Sequence, residues 1–319
     1  MSDHHNHDSE PSSSCGHSHD HSESNPDIYV ISPSGAVPTR ERLELGAKNL
    51  RSLGFGVTLD PDAACQYSRF GGTDAQRLAA IERSLAQPSD VVMASRGGYG
   101  MTRLLPQINW KAVADSGKRF IGHSDFTAFN LALLAQTGAP SLTGPNVSTD
   151  FGEEMPDELM TDLFVETLRG ELQILSFESP DSDEFDGRGI LWGGNLAMLM
   201  TLLGTPYFPA IQDGILFVED VHEHPYRVER MLLQLLQAGV LAKQQALILG
   251  QFTDYRLSAA DQGYDLDEVI AYIRQTAGIP VITGLPYGHV PLKATLPIGV
   301  QVGLATEDDM AYLVLDEHE

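Results

Sequence analysis

Arg119-Phe120-Ile121-Gly122-His123-Ser124-Asp125-Phe126-Thr127 carries the reading of this chain. An apolar strand over 119–122 enters, Gly122 permits a tight turn, and a helical run over 126–135 leaves. A strand delivered into a helix by so short a turn is the repeating unit of α/β folds. The same alternation runs outward toward the N-terminus. A short apolar run at 28–31 ends in the turn Ser32-Pro33-Ser34-Gly35, and 41–53 reads as a helix stopped by Gly54. Strand 55–59, helix 73–85 with Leu78, Ile81 and Leu85 on one face, and strand 90–94 follow. Strands alternating with helices predict a parallel sheet covered on both faces.

Toward the C-terminus the pattern breaks once. Residues 149–156 turn polar and acidic, 156–168 reads as one helix, and 179–188 is acidic and loop-like, so a domain boundary is placed within 150–188. Beyond it the sequence predicts an apolar helix at 195–203 and a strand at 215–218. The amphipathic helix 226–238 carries Val228, Met231, Leu232, Leu235 and Leu236 at core spacing and ends at Gly239. Strands at 246–249, 298–304 and 311–315 complete the reading. The expected organisation is a tail at 1–26, an α/β domain at 27–170, a linker at 171–188 and a second domain at 189–319.

Composition narrows the function. With 319 residues, 42% hydrophobic and 20% charged, the chain has enough apolar content for a substantial core. A net charge of −24 argues against nucleic acid, whose phosphates need clustered Lys and Arg. A small anionic substrate needs only one or two local arginines and stays open. Cys15 and Cys65 cannot make a disulfide framework and read as reduced thiols of a cytosolic protein. No secretory signal and no spanning apolar stretch is found, so no membrane partner is expected and the cytoplasm is the expected compartment.

Six of the eleven histidines (His4, His5, His7, His17, His19 and His21) fall in the first 26 residues, among Ser, Asp and Glu. Such a segment cannot offset its ordering entropy by apolar burial and reads as disordered. It could hold Zn or Ni loosely and adventitiously, or be a solvated tail with no metal role. A metal-binding protein acting through this tail is the reading from a different class; deleting 1–26 would abolish its capacity and spare an enzyme's turnover.

The chemistry-bearing residues lie elsewhere. Ser124, in the turn quoted above, would project its hydroxyl beside N–H groups at a helix N-terminus that can stabilise an oxyanion. The turn lacks the second glycine of G-x-S-x-G, and a helix cap by Ser124 or Asp125 explains the same residues. Ser95-Arg96-Gly97-Gly98-Tyr99-Gly100 follows strand 90–94, where glycines let backbone N–H groups approach a ligand or merely make a turn. Neither the P-loop nor the dinucleotide pattern is met, and Arg96 and Arg103 flank the loop as candidate carboxylate partners. Strand 215–218 runs into Glu219-Asp220, and Gly284-Leu285-Pro286-Tyr287-Gly288-His289 holds a histidine in a Gly/Pro-shaped loop. Ser, Glu and His in that chain order is one known arrangement of nucleophile, orienter and base. The cluster Glu219, Asp220, His222, Glu223 and His224 lacks a helical His-x-x-x-His and is not read as a metal site.

SRGGYG at 95–100, IGHSDFTA at 121–128, GGNLAML at 193–199, FVEDVHEHPYRVERML at 217–232 and LPYGHV at 285–290, in this order, resemble the L,D-carboxypeptidase family of serine peptidases. That family comprises the murein tetrapeptide carboxypeptidases and their microcin-immunity relatives. The resemblance spans nearly the whole chain after the tail. It implies a glutamine-amidotransferase-like N-terminal parallel-sheet domain, a C-terminal swivelling β/β/α domain, a site in the cleft between them, and a homodimer. It further implies Ser124 as nucleophile, His289 as general base and Glu219 as its orienting carboxylate, with neither metal nor cofactor. The oxyanion would lie against Asp125 and the Gly97-Gly98 loop, and Arg96 would bind the substrate's free carboxylate. The implied reaction releases terminal D-alanine from cytoplasmic muropeptides during cell-wall recycling. The alternative is a microcin-immunity-type peptidase acting on peptidyl or aminoacyl nucleotides, which would need an aromatic surface to stack a base; Trp110 and Trp192 are the two tryptophans, and no long aromatic insertion interrupts the Ser124–Glu219 interval.

Overall fold

The structure, a computed structural model, describes Met1 and residues 25–315. The His-rich stretch, with its Zn/Ni reading and Cys15, lies outside the described residues. Asn25 is already part of the fold: its amide donates to the Leu53 carbonyl (2.6 Å) and its Oδ1 accepts from Arg169 Nε (2.6 Å).

The expected parallel sheet is present. Strands β1 (Ile28–Ile31), β2 (Val57–Leu59), β3 (Val91–Ala94), β4 (Arg119–Ile121) and β5 (Ser141–Thr143) run parallel in the spatial order β5-β4-β3-β1-β2. Side chains alternate faces along a strand, and here each face has its own core. Tyr29, Ile31, Val92, Ala94 and Phe120 pack with Ile81 of α2 (after α1, Arg40–Ser52; α2 is Asp74–Leu85) and with later helices. Ile28, Val30, Val91, Met93 and Ile121 pack on the opposite face with Leu43 and Leu50 of α1. Because both faces are covered, β1 and β3 are buried at every residue, which is why they read as unbroken apolar runs. Two short helices, α3 (Met101–Leu104) and α4 (Trp110–Asp115), precede α5 (Thr127–Thr137); α6 (Glu158–Arg169) closes the second face with Met160, Phe164 and Leu168.

The second sheet holds β6 (Ile174–Glu178), β7 (Asp186–Asn195), β8 (Gly214–Val221), β9 (Gln244–Thr253) and β10 (Val281–Ile282). Helices α7 (Leu196–Leu202), α8 (Pro225–Gln237) and α9 (Leu266–Thr276) alternate with its strands. The chain then returns to the first sheet, where β11 (Leu296–Ile298) pairs antiparallel with β5, before β12 (Val300–Glu307) and β13 (Met310–Val314) rejoin the second. The second sheet's order is β10-β9-β8-β7-β12-β13-β6, parallel from β7 to β10 and antiparallel from β12 onward. Both the parallel-sheet domain and the β-rich second domain are therefore present. No helix among the described residues is long and apolar enough to cross a membrane.

Three local expectations need correction. The stretch 171–188, read as linker, contains β6, which pairs with β13; a strand needs a partner, and this one comes from the far end of the chain. The sequence reading has a loop-like stretch to 188, a helix from 195 and no strand between, whereas β7 spans the gap; Gly187, Gly189, Gly193 and Gly194 dilute its pattern. Those glycines have a reason: a Cβ on Gly193 (φ +141°) would lie 1.8 Å from the Phe217 carbonyl oxygen. The single strand read at 298–304 is two, broken at Gly299 (φ +84°), where the chain passes from one sheet to the other.

Candidate active site

The quoted turn folds as a strand-to-helix elbow. Ser124 takes a left-handed backbone (φ 63°) at the C-terminal end of β4, a conformation that costs a serine about 1–3 kcal/mol. A single 3₁₀ turn, Ser124–Phe126, then leads into α5. Neither that turn nor α5 takes a side-chain cap, so the helix-cap reading of Ser124 does not describe the structure. The hydroxyl instead meets His289 Nε2 at 3.1 Å, and His289 Nδ1 meets Glu219 Oε2 at 2.8 Å. Two sheets supply this relay: β4 ends at the serine, β8 carries the glutamate, and the loop after β10 carries the histidine. Ser124 and His289 are half-buried, whereas Glu219 has no exposed surface.

Tight backbone contacts frame the serine. A Cβ on Gly122 would strike the Phe126 ring at 2.5 Å, and one on Gly97 would lie 2.6 Å from Ser124 Cβ and 2.9 Å from Oγ. Only glycine at 97 lets the loop after β3 pass so close to the hydroxyl. Gly98 (φ +97°) packs on Gly35, whose N–H donates to the Gly97 carbonyl (2.9 Å). Asp125 is fully buried, and its Oδ2 accepts from Met101 N–H (2.9 Å), tying this loop to the serine turn. Burial raises the Asp125 carboxyl above its usual range. The Asp125 N–H heads a helical turn and has no intrahelical partner there, which suits it to an incoming oxyanion.

The acid is held by residues to which sequence reasoning gave no role. Asn195 Nδ2 donates to Glu219 Oε1 (3.1 Å) and Asp220 Oδ1 (3.0 Å). Asp220 itself accepts from Ala197 N–H and Val221 N–H (both 2.8 Å), and burial, with Glu219 beside it, pushes its carboxyl up to about 6. Asn195 stood in the quoted motif GGNLAML, but only the pairing of β7 with β8 shows that it faces Glu219. His123 lies across from the relay, 2% exposed, with Nε2 3.7 Å from Glu219 Oε1. That is too long for a hydrogen bond, and burial, with Lys293 and His289 nearby, holds the ring's pKa well below its ordinary value, so the contact is no ion pair. Tyr287 Oη and Thr143 Oγ1 are 2.5 Å apart and Asn195 N–H donates to Thr127 Oγ1 (3.1 Å), locking the two sheets together beside the site.

The cleft above the serine has a volume of about 750 Å³. One side is formed by Arg96 and the 97–98 glycines, and another by Lys293, whose buried ammonium is paired with Asp150 (2.5 Å). Glu153, Glu154 and Asp157 make its acidic rim. Arg96 thus lines this cleft; Arg103 instead sits 3.6 Å from Asp74 and over the Phe70 ring. Of the rejected metal cluster, Glu223 pairs with Arg227, His224 with Asp261 (3.1 Å), and His222 contacts the Asp254 carbonyl oxygen (3.2 Å), so the side chains diverge. Among the described residues the one group with metal-like spacing is His123, Glu219 and His289, within 4.8 Å of one another. A cation there would have to displace the hydrogen bond between His289 and Glu219.

Residues 28–144 match the LD-carboxypeptidase N-terminal domain and residues 188–304 the LD-carboxypeptidase C-terminal domain. A protein of Synechocystis named as a carboxypeptidase is 34% identical over 281 residues, 87% of this chain and 90% of its own. The crystal structure of muramoyltetrapeptide carboxypeptidase from Oxalobacter formigenes superposes with a TM-score of 0.86 at 41% identity, covering 92% of this chain and 99% of that one. The microcin C7 self-immunity protein MccF of Escherichia coli is 26% identical over 308 residues, 87% of this chain and 89% of its own. With likeness of that extent, the chain belongs to the LD-carboxypeptidase family of peptidases.

Proposed function

We propose that this protein is a serine-type L,D-carboxypeptidase that releases the terminal D-alanine of murein tetrapeptides in the cytoplasm, as a homodimer in keeping with the family resemblance. The observation that carries the reading is the continuous relay from Ser124 through His289 to Glu219 across two sheets. His289 Nε2 takes the Ser124 proton as the oxygen attacks the scissile carbonyl. Glu219, fully buried and accepting from His289 Nδ1–H, fixes the tautomer that leaves Nε2 free and stabilises the imidazolium that forms. The developing oxyanion lies against Asp125 N–H and the Gly97-Gly98 backbone. His289 then protonates the leaving amine of D-alanine, and water activated by the same ring releases the acyl group from Ser124. Arg96, on the cleft wall, is available to a substrate carboxylate.

Against the nucleotide-conjugate reading stands the cleft lining. Trp110 and Trp192 are buried in the core, and no Phe, Tyr or Trp lines the main cleft among the described residues. Base stacking would thus have no aromatic platform within that cleft. The test is D-alanine release from a tetrapeptide ending in L-diaminopimelyl-D-alanine, with and without EDTA. Release that survives the chelator and disappears in Ser124→Ala is expected. Absence of release, or its abolition by EDTA, would overturn the proposal.

A further inference from the structure

In the first sheet β1 lies between β2 and β3, so the connections leaving β1 and β3 part in opposite directions. Such a switch point opens a crevice beyond the strands' carboxyl ends, the usual ligand position in open parallel sheets. Here the crevice is a pocket of about 310 Å³ whose wall includes Gly35, Ala36, Arg69, Arg96, Gly98 and Tyr99. It shares Arg96 and Gly98 with the cleft above Ser124, so the two cavities adjoin.

Two guanidinium groups face this pocket. Arg96 Nη1 donates to the Ala36 carbonyl (2.8 Å), while its Nε is buried with no partner. Arg69 is exposed and lies over the Tyr99 ring, 5.9 Å from its centroid. Neither forms a salt bridge with an acidic side chain among the described residues, although the chain as a whole carries more than twice as many acids as bases. Burial, and then the charge of Arg69, hold Arg96 below its usual range. Like charges brought together with no acid between them are relieved by a bound anion, and a guanidinium fork matches a carboxylate in shape.

We propose that Arg69 and Arg96 together form a carboxylate-binding subsite in the crevice between β1 and β3, taking a carboxylate of the peptide whose bond Ser124 attacks. This rests on the reading of the chain as a murein peptidase and adds Arg69 to its substrate-binding residues. The carboxylate is either the peptide's terminal one or a free carboxylate within it, and two singly amidated substrates distinguish them.

Arg69→Ala, at an exposed position, is expected to raise KM for the tetrapeptide about tenfold with kcat changed less than twofold, and Arg69→Lys to recover part of the loss. One amidated substrate should show the same rise with the unaltered enzyme and no further rise with Arg69→Ala, which names the carboxylate. An unchanged KM in Arg69→Ala, or full additivity with both amides, overturns the subsite. A second measurement needs no turnover: the rate at which a fluorophosphonate labels Ser124 in the presence of N-acetyl-D-alanine. Slowing in the unaltered protein but not in Arg69→Ala supports the pair even should the murein substrate prove wrong; equal rates in both, with this ligand and with a peptide fragment that keeps only the internal carboxylate, overturn it.

Discussion

Ser124 and Glu219 touch opposite nitrogens of one imidazole from unlike surroundings. The serine sits on a half-buried turn in left-handed backbone, hemmed by Gly97 and Gly122 and, among the described residues, bonded through its side chain to His289 alone. The glutamate sits within β8, where its pairing with β9 shifts register between Val218 and Asp220, with no exposed surface, its oxygens shared between His289 and Asn195 and its neighbour Asp220 tied to two backbone N–H groups. A nucleophile needs access and a fixed approach, which backbone strain and close glycines supply. An orienting carboxylate needs an unvarying position and a proper set of donors, which burial in a sheet supplies. Stability and activity are therefore separable at the turn and joined at the strand.

The largest effect should come from breaking the pair at both ends. Ser124→Ala is expected to cut kcat by about 10⁴-fold or more with thermal stability nearly unchanged, because the substitution removes one half-buried hydroxyl and its bond to His289. Glu219→Gln should cost about 10³–10⁴-fold in kcat through the wrong histidine tautomer and also lower stability by about 1–3 kcal/mol, since it sets an amide in a buried site built for an anion. Kinetics combined with denaturant titration reads both axes; equal stability losses in the two variants would erase the contrast.

Gly97→Ala sharpens the account of the turn. Its added Cβ must displace Ser124 or the loop after β3, so a fall in kcat of about 10²-fold is expected with the fold retained. Full activity in this variant would mean that the loop is not positioned as the structure places it.

A smaller effect is legible in pH dependence. Burial keeps His123 neutral, below its ordinary value of 6.5, so only the unfolded chain binds that proton as pH falls. The stability linked to His123 is complete above about pH 6.5 and is lost below it, by at most about 1.4 kcal/mol per pH unit. Asp220 acts in the opposite sense: raised to about 6, it favours the folded state at low pH and loses that contribution as pH rises through 6. Asp220 is common to both proteins, so the difference between the unaltered chain and His123→Phe isolates the histidine. The variant should lose less stability between pH 6.5 and 5, measured by urea titration; parallel curves would contradict a neutral buried ring.

Much of the first sheet was legible because both its faces are buried: fully apolar strands such as 28–31 and 91–94, set between helices, leave little choice of reading. The second sheet was less so. β7 is rich in glycine because β8 and α5 approach it closely, and that need is visible only once those neighbours are in place. β6 has an alternating exposed and buried pattern but lies in acidic surroundings, and its partner β13 is more than a hundred residues away. Asn195 and His123 were inside quoted motifs, yet nothing local marks an amide or a ring as facing a carboxylate from another strand. Arg69 lies in no motif at all.

By itself the sequence determined the alternation of strands and helices, the serine turn, the glycine loop, the acid at a strand's end, and, through five segments in order, the family. Each of these depends on residues within a few positions of one another, where hydrophobic period and backbone sterics act. Tertiary structure alone decided that Ser124 and His289, 165 residues apart, meet at 3.1 Å, and that Glu219, 70 residues from His289, stands behind it. It did so by returning the chain at β11 to the first sheet and turning it back at Gly299 to the second. Local sequence fixes how each strand forms, but which strands become neighbours is set by the burial of surfaces that only the assembled sheets possess.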